Sequence, residues 1–218
     1  MGYNVAIDGP AGAGKSTIAK KIAKEKGFIY VDTGAMYRAL AIHFLKKGLK
    51  PEDTEEIKEA CKGAVVSLGY EEGVQQVYLN GENVTSMLRE EKVGNMASVS
   101  SAIGEVRAQL LELQREMART NDVVMDGRDI GTHILPNADV KVYLTASVEE
   151  RARRRFVELQ EKGVDCDLQE IAHDIAERDH RDMNREIAPL KQAEDAILID
   201  SSSMTIEEVV QAIIALCK

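Results

Sequence analysis

The residues with the clearest chemical signature form a glycine-rich segment close to the N-terminus. The segment fits the pattern G-x-x-x-x-G-K-[ST], and it consists of Gly9, Pro10, Ala11, Gly12, Ala13, Gly14, Lys15, Ser16 and Thr17. Glycines let backbone N–H groups approach phosphate oxygens, and a following helix adds the partial positive charge of its N-terminus. Lys15 is expected to reach the β- and γ-phosphates of a nucleoside triphosphate, and the Ser16 hydroxyl to help hold Mg²⁺. The alternative is a glycine-rich turn without a ligand, which the preceding strand and the following helix disfavour.

The composition is that of a globular protein with one sizeable domain. The 218 residues are 44% hydrophobic and 30% charged, and the net charge of −9 argues against a general nucleic-acid-binding protein. The three cysteines are far apart and have no CxxC spacing, so neither a zinc site nor a disulfide framework is indicated. We recognise no signal peptide and no run of transmembrane length. The expectation is a cytoplasmic protein that binds neither membranes nor nucleic acids.

The order of the expected strands and helices indicates an α/β fold. Five apolar strands alternate with helices, at residues 3–8, 28–31, 122–126, 140–144 and 197–200. This order predicts a parallel five-stranded sheet of the P-loop NTPase type, flanked by helices on both faces. Ligands bind at the carboxyl ends of such strands. The loops expected to form a site therefore lie at 9–16, 32–34, 127–131 and 145–155.

A different pattern interrupts this alternation between residues 64 and 88. Short β-like runs at 64–68, 75–79 and 83–84 are separated by turns at 69–73 and 80–81. They predict a small antiparallel β insertion. We interpret it as an inserted subdomain within a single domain that spans residues 1–218.

Charged residues follow the second expected strand at a position where the fold itself does not need them. Asp32, Thr33 and Gly34 are expected to form a turn before a helix that begins at Ala35. Arg38 lies one turn into that helix and faces the same rim of the sheet as the lysine of the glycine-rich segment. A solvated arginine is the ordinary alternative, but the place beside a phosphate-binding rim favours a ligand contact.

A sharper pattern, Asp126-Gly127-Arg128-Asp129, follows the third core strand. Asp126 ends an apolar strand, which is where an NTPase places an acid near Mg²⁺, often through a water molecule. A surface turn also accommodates the Asp-Gly pair, but it does not require the arginine and aspartate behind it. The pattern therefore favours a functional loop.

Two further runs of charge lie in the C-terminal third of the chain. Arg178, Asp182 and Arg185 are spaced i, i+4 and i+7 and would share one helix face. That face is either a solvated, salt-bridged surface or a row that points into a cleft, and the spacing does not decide between them. Arginines are also concentrated at 151–155, in a helix that begins at the carboxyl rim of the sheet, where they fit a lid over a triphosphate.

The arginines also bear on the identity of the phosphoryl acceptor. The N-K-x-D motif of GTPases is missing and the chain is short for a transporter-type ATPase, so a small-molecule kinase fits best. An alcohol acceptor would benefit from a general base, whereas a phosphate monoester is already anionic near neutral pH. Arginine is suited to holding two anions together, because it makes bidentate contacts. Many arginines and no evident base favour a monophosphate acceptor.

Four segments together resemble the bacterial-type cytidylate kinases, in the order and spacing of that family and over essentially the whole chain. They are the glycine-rich segment, Asp-Thr-Gly-Ala-Met-Tyr-Arg at 32–38, Asp-Gly-Arg-Asp-Ile-Gly-Thr at 126–132 and Arg-Asp-x-Arg-Asp-x-Asn-Arg at 178–185. The β insertion is similar to the enlarged monophosphate-binding region of that family. The resemblance implies transfer of the γ-phosphoryl group of ATP to CMP or dCMP with Mg²⁺. We expect a monomer.

The resemblance also assigns roles to residues by position. It implies catalytic contacts to the transferred group from Lys15, Arg128, Arg185, Arg151 and Arg155, and ATP binding by residues 9–17. It implies a CMP site formed by Thr33, Arg38, Ser98, Arg107, Arg128, Asp129, Arg178, Asp182 and Arg185. Mg²⁺ would be held by Ser16 and by Asp126, directly or through water. Residues 151–165 correspond to a short lid without the zinc of some adenylate kinases, and whether Arg178 or Arg181 contacts substrate stays open.

The chemistry of cytosine agrees with this assignment. Asp129 can accept a hydrogen bond from the N4 amino group, and Arg107 can donate to O2 and N3. Uracil reverses the polarity at N3 and at position 4, which would leave groups unpaired at a cost of about 1–3 kcal/mol each. We therefore expect CMP to be preferred over UMP. Two other hypotheses remain, a P-loop kinase for adenylate, uridylate or an alcohol such as shikimate, and a nucleotide sensor that recruits a partner through the insertion.

Overall fold

Eight strands and eight helices make up residues 2–218, the part of the chain that this computed structural model describes. The strands are β1 (Asn4–Asp8), β2 (Ile29–Asp32), β3 (Val66–Glu71), β4 (Val74–Leu79), β5 (Glu82–Asn83), β6 (Val123–Gly127), β7 (Val140–Thr145) and β8 (Ile197–Asp200). The helices are α1 (Lys15–Lys26), α2 (Thr33–Lys46), α3 (Thr54–Cys61), α4 (Glu91–Ser100), α5 (Gly104–Thr120), α6 (Val148–Glu161), α7 (Leu168–Asn184) and α8 (Ile206–Ile214). A 3₁₀ turn (Thr85–Arg89) precedes α4, and a π-helical turn (Ile130–Ile134) follows β6.

The main sheet has the strand order β2-β6-β1-β7-β8. All of its pairings are parallel, so the carboxyl ends of the five strands lie along one edge. The predicted fold class is confirmed, and the five predicted strands differ from the observed ones by at most one residue at each end. Because β1 is the central strand, the loop that follows it lies in the middle of the carboxyl edge.

Side chains of the central strands alternate between two hydrophobic cores, one on each face of the sheet. Ala6 of β1 packs against α2, α4 and α5 in one of these cores. Met36 and Phe44 of α2 are fully buried in the same core. Val5 and Ile7 of the same strand pack on the other face with α1 and α8. A strand that is buried on both faces reads as a continuous apolar run, which is why the strands were recognisable without a polar alternation.

The predicted insertion is a separate antiparallel sheet in the order β3-β4-β5. The turn predicted at 69–73 is wrong in length, because β3 continues to Glu71 and only Glu72 and Gly73 form the turn. Both residues have positive φ angles, 50° and 77°, as the two-residue turn that matches strand twist requires. The second turn is formed by Asn80 and Gly81 as predicted, with φ angles of 51° and 84°.

Side chains of the insertion bind the free edge of β2. Gln75 Oε1 accepts a hydrogen bond from the backbone N–H of Asp32 at 2.9 Å. The hydroxyl of Tyr70 donates to the carbonyl of Tyr30 at 3.1 Å. An edge strand presents unpaired backbone groups, and here two of them are satisfied by side chains. The insertion is thereby attached next to the carboxyl end of β2.

No turn separates β2 from α2, in contrast to the expectation for residues 32–34. Asp32 is both the last residue of the strand and the N-cap of the helix, because its Oδ1 accepts from the backbone N–H of Ala35 at 2.9 Å. An aspartate in this position replaces a missing intrahelical acceptor. The helix therefore begins at Thr33 and carries that residue at the carboxyl edge of the sheet.

No helix among residues 2–218 combines the length and the apolar character that crossing a bilayer would require.

Candidate active site

The glycine-rich segment forms the loop between β1 and α1. Gly9 packs against the backbone of Leu144, and a Cβ atom there would lie 1.9 Å from the carbonyl oxygen, so no other residue fits. Gly14 caps α1 with a φ angle of 85°, a left-handed conformation that favours glycine. The side chain of Lys15 folds back and donates to the carbonyl of Pro10 at 2.7 Å. The lysine is thus held inside the loop, at the N-terminus of the helix.

Asp126 and Ser16 meet at the end of β6, as the sequence predicts. Ser16 Oγ donates to Asp126 Oδ2 at 3.0 Å, and the hydroxyl of Tyr30 donates to Oδ1 at 2.8 Å. Burial raises the pKa of Asp126 to about 6. Thr33 Oγ1 donates to the backbone carbonyl of Asp126 at 2.7 Å. A hydroxyl and a carboxylate are the hard oxygen ligands that suit Mg²⁺, so this pair fits the ion.

Asp8, a residue that the sequence analysis missed, anchors the loop after β6. Its two carboxylate oxygens accept the backbone N–H groups of Ile130 and Gly131, each at 2.7 Å. Burial raises the pKa of Asp8 to about 6, although both backbone hydrogen bonds act to lower it. The position of this acid at the end of an apolar strand is the same signal that identified Asp126. Asp8 thereby fixes the segment in which the predicted Asp-Gly-Arg-Asp pattern lies.

We expect Asp8→Asn to lower the free energy of unfolding by about 1–3 kcal/mol, as measured by urea denaturation. The carboxamide can accept from only one of the two backbone N–H groups, and its own NH₂ would face the other donor. The matched control is Asp139→Asn, because Asp139 is exposed and accepts a single N–H, from Asn4 at 2.7 Å. That variant should change stability by less than about 0.5 kcal/mol. Equal effects of the two substitutions would contradict the assigned role of Asp8.

Arginines converge on the rim between the phosphate-binding loop and α7. Arg128 Nε donates to Asp182 Oδ2 at 2.8 Å. Burial, together with the nearby charges of Arg128 and Arg38, lowers the pKa of Arg178 to about 10. Burial and the charge of Arg128 also lower the pKa of Lys15. Cations that raise one another's free energy in this way form a site with a high affinity for anions.

Asp129 lies between two arginines in a second, deeper part of the site. It is 3% exposed and pairs with Arg107, and Arg185 Nη2 lies 3.1 Å from its other oxygen. The guanidinium of Arg107 also lies over the ring of Tyr37, 5.7 Å from its centre. Ser98 Oγ is buried without a hydrogen-bond partner among residues 2–218. The structure thus brings Asp129, Arg107 and Arg185 together, and it leaves a buried hydroxyl of α4 unpaired.

Arg185 is not part of the helical row that its spacing suggested. Arg178 and Asp182 lie on α7, which ends one residue before Arg185, and Arg185 itself has extended backbone angles. Its Nε donates to the carbonyl of Ala188 at 2.7 Å. Pro189 disfavours helical geometry in Ala188, so the residues after Asn184 could not add a further full turn to the helix. The chain therefore turns, and the side chain reaches Asp129 from outside the helix.

The arginines at 151–155 have different surroundings. Arg151 is buried, with its guanidinium bound to protein groups, whereas Arg155 is exposed and pairs with Glu158 at 2.9 Å. Residues 151–161 of the expected lid belong to α6, which runs without a break from the carboxyl rim. This helix packs along α7 as a hairpin. Among residues 2–218, no group of three or more His, Cys, Asp or Glu side chains is arranged to hold a metal ion.

Comparison with known proteins gives a consistent result. The family model for cytidylate kinase matches residues 5–218. A curated cytidylate kinase of Caldicellulosiruptor bescii is 51% identical over 213 residues, which cover 98% of this chain and 94% of that protein. One of Shouchella clausii is 48% identical over 217 residues, covering 100% and 96%. The crystal structure of an uncharacterised protein from Eubacterium ventriosum is similar in fold, with a TM-score of 0.55 at 13% identity, and covers 98% of this chain and 96% of that one. The chain therefore belongs to the cytidylate kinase family, a family of phosphotransferases.

Proposed function

We propose that the protein transfers the γ-phosphoryl group of ATP to CMP or dCMP, giving ADP and CDP or dCDP. The observation that carries the proposal is the position of Arg128. It is bound to Asp182 on α7, and it is close enough to Lys15 and Arg178 to lower the pKa of both. One guanidinium is thus shared between a triphosphate-binding loop and a second anion site. Membership of the cytidylate kinase family supports CMP and dCMP as the acceptors.

ATP is the donor, and we assign its phosphates to residues 9–17. Lys15 would exchange its contact with the carbonyl of Pro10 for the β- and γ-phosphates. Ser16 and Asp126, the latter directly or through water, would hold Mg²⁺, which neutralises charge on the β- and γ-phosphates when bound. The hydrogen bond between these two side chains already places them together. Zinc has no role in this scheme.

CMP is the acceptor, and different residues would bind its phosphate, its sugar and its base. Arg38 and Arg128, with Thr33, would bind the acceptor phosphate. The sugar would lie along Arg178 and Asp182. The base would be read by Ser98, Arg107 and Asp129. Arg185, which pairs with Asp129, would also bind the acceptor phosphate. The unpaired hydroxyl of Ser98 supports a ligand contact at that point, because buried polar groups without a partner are rare.

Transfer then requires no general base, because the acceptor oxygen is already anionic near neutral pH. The side chains hold two anions in line and stabilise the charge that spreads over the transferred group. Lys15, Arg128, Arg185 and Arg155 are the cations available for that purpose. Closure of the insertion (64–88) and of the lid (151–165) over this single kinase domain would exclude water and suppress ATP hydrolysis. We expect a monomer to be sufficient.

The decisive experiment is an ADP-release assay with ATP, Mg²⁺ and one nucleoside monophosphate at a time. Turnover with CMP and dCMP that greatly exceeds turnover with UMP and AMP is the expected result. Preference for another monophosphate would retain the kinase and reject the base assignment. Tight ATP binding without turnover of any monophosphate would favour an alcohol kinase or a nucleotide sensor.

The sequence left open whether Arg178 or Arg181 contacts substrate, and substitutions of these two arginines should have very different effects on kcat/KM for CMP. Arg178 is partly buried and faces Arg128 and Asp182, whereas Arg181 is exposed and lies 3.6 Å from Glu177. We expect Arg178→Met to lower kcat/KM for CMP by about 10- to 100-fold, because a charge-assisted contact is lost. Arg181→Met, the matched control on the same helix, should change it by less than about twofold. Initial-rate kinetics at saturating ATP measures both, and a larger effect at position 181 would contradict the assignment.

A further inference from the structure

Arg151, near the start of α6, joins three parts of the protein through one guanidinium group. Its side chain is only 4% exposed. Nε donates to the carbonyl of Ala146 at 2.9 Å, Nη1 donates to the carbonyl of Ala11 at 2.8 Å, and Nη2 pairs with Asp179 Oδ2 at 2.6 Å. These partners belong to the segment after β7, to the ATP-binding loop and to α7. The ATP-binding loop is thereby connected directly to the helix of the acceptor site.

The contact with Ala11 fixes the orientation of a peptide within the ATP-binding loop. In a planar trans peptide, the carbonyl oxygen and the N–H of the next residue point in opposite directions. Holding the carbonyl of Ala11 therefore also holds the N–H of Gly12, one of the backbone donors of the loop. Gly12 has a φ angle of 76°, and a glycine can leave this conformation easily. Without the guanidinium of Arg151, this peptide would be free to rotate.

Asp179 supplies the charge that keeps Arg151 in place. It follows Arg178 on α7 and lies three residues before Asp182, and it is 7% exposed. Its second oxygen, Oδ1, is buried and has no hydrogen-bond partner among residues 2–218. A buried carboxylate oxygen without a partner is destabilising. The pair of Arg151 and Asp179 therefore includes an unsatisfied buried oxygen that an apolar pair of similar size would not have.

We propose that Arg151 and Asp179 are a positioning pair that sets the ATP-binding loop in register with α7, and hence the two substrates in register with each other. This rests on the proposed function, in which the loop holds ATP while Arg178 and Asp182 hold CMP. Arg151 then acts through the loop rather than on the phosphoryl group. Displacing reacting groups by about 1 Å can lower a rate by roughly 10²-fold. The pair should therefore affect kcat more than CMP binding.

The variant that tests the pair replaces both partners, Arg151→Met together with Asp179→Leu. Replacing a buried ion pair by apolar side chains of similar size is often neutral or stabilising, whereas removing one partner leaves a buried charge. The double variant should thus unfold at the wild-type urea concentration or above. We expect kcat with ATP and CMP to fall by about 10- to 100-fold. Calorimetry without CMP should show a Kd for MgATP raised by about tenfold, and the Kd for CMP should stay within about twofold.

Two further measurements separate positioning from a merely structural role. Amide hydrogen exchange of residues 9–15 should become faster in the double variant, because the peptide after Ala11 is released. The matched control is Arg119→Met, since Arg119 lies on α5 away from the site, is exposed and pairs with Glu116 at 2.6 Å. It should leave kcat, the Kd for MgATP and the exchange rates unchanged.

Each possible outcome either supports or overturns the proposed role of Arg151 and Asp179. A folded double variant with the wild-type kcat and Kd for MgATP would overturn the proposal. If the double variant does not fold, Arg151→Lys is measured instead, because one ammonium group keeps the charge but cannot bind both Ala11 and Asp179 as the guanidinium does. If Arg151→Lys has a lowered kcat and an unchanged melting temperature, the proposal is supported. If its kcat equals that of the wild type, the proposal is rejected. If the wild-type protein phosphorylated no monophosphate, the proposed function would fail, while MgATP affinity and hydrogen exchange would still test the pair.

Discussion

Lys15→Met should lower kcat for phosphoryl transfer to CMP by roughly 10³-fold, the effect of removing a preorganised cation from the transferring group. Lys15 is 5% exposed and is held by the carbonyl of Pro10 at 2.7 Å. Methionine has a similar length and no charge, so it fills the same space without reaching a phosphate. Single-turnover kinetics with saturating ATP and CMP measures the chemical step directly.

The same substitution should not destabilise the unliganded protein. Burial and the nearby Arg128 lower the pKa of Lys15, which means that its surroundings disfavour the charged form. Removing the cation relieves this unfavourable burial, and we expect a melting temperature at or above that of the wild type. The matched control is Lys24→Met, because Lys24 is exposed on the same helix. A Lys15→Met protein that is folded and turns over normally would refute the assignment of the loop.

The fold was predictable because its signals are local. Each core strand is a short apolar run, and their alternation with helices leaves few arrangements other than a parallel sheet. The glycine-rich segment and the Asp126–Asp129 pattern each follow such a strand, so both had to lie at the carboxyl edge. Their meeting through Ser16 and Asp126 followed from that placement.

The contacts in the site that could not be predicted from the sequence depend on which strands are neighbours in the sheet. β6 lies between β1 and β2, although about 90 or more residues separate it from either of them. Only this order brings Tyr30 to Asp126, and Asp8 to the backbone of Ile130 and Gly131. Tyr30 lies within an apolar run, where local pattern cannot distinguish a core residue from a site residue, whereas Asp8 ends its strand as Asp126 does and carried a signal that the sequence analysis did not use.

Two expectations about helix boundaries, the start of α2 and the place of Arg185 on α7, do not match the structure. Asp32 was read as part of a turn, although aspartate followed by a helix-forming run is also the usual N-cap. Counting residues places Arg185 on a face of α7, but the helix ends at Asn184 and Arg185 is its extended C-cap. For α2 the capping residue, rather than the periodicity, determines where the helix begins, and for α7 the periodicity of the charged row continues beyond the helix that carries it.

Asp129→Asn should change the choice of base as well as the rate. The carboxylate can accept from the cytosine amino group, whereas a carboxamide can also donate to the O4 of uracil. Each reversed polar contact is worth about 1–3 kcal/mol, or roughly 10- to 100-fold. We expect the ratio of kcat/KM for CMP to that for UMP to fall by about that factor, as measured by initial rates with each nucleotide.

This ratio is the informative quantity, because the substitution also has a structural cost. Asp129 neutralises Arg107 and Arg185, whose side chains are only 5% and 7% exposed, so two buried cations lose their shared partner. Breaking buried ion pairs costs about 3–5 kcal/mol, and the variant should unfold at lower urea concentration. Lost stability alone would lower turnover with CMP and UMP equally. Asp174→Asn, an exposed position on α7, should leave stability and the ratio unchanged, and an unchanged ratio in Asp129→Asn would show that this carboxylate does not read the base.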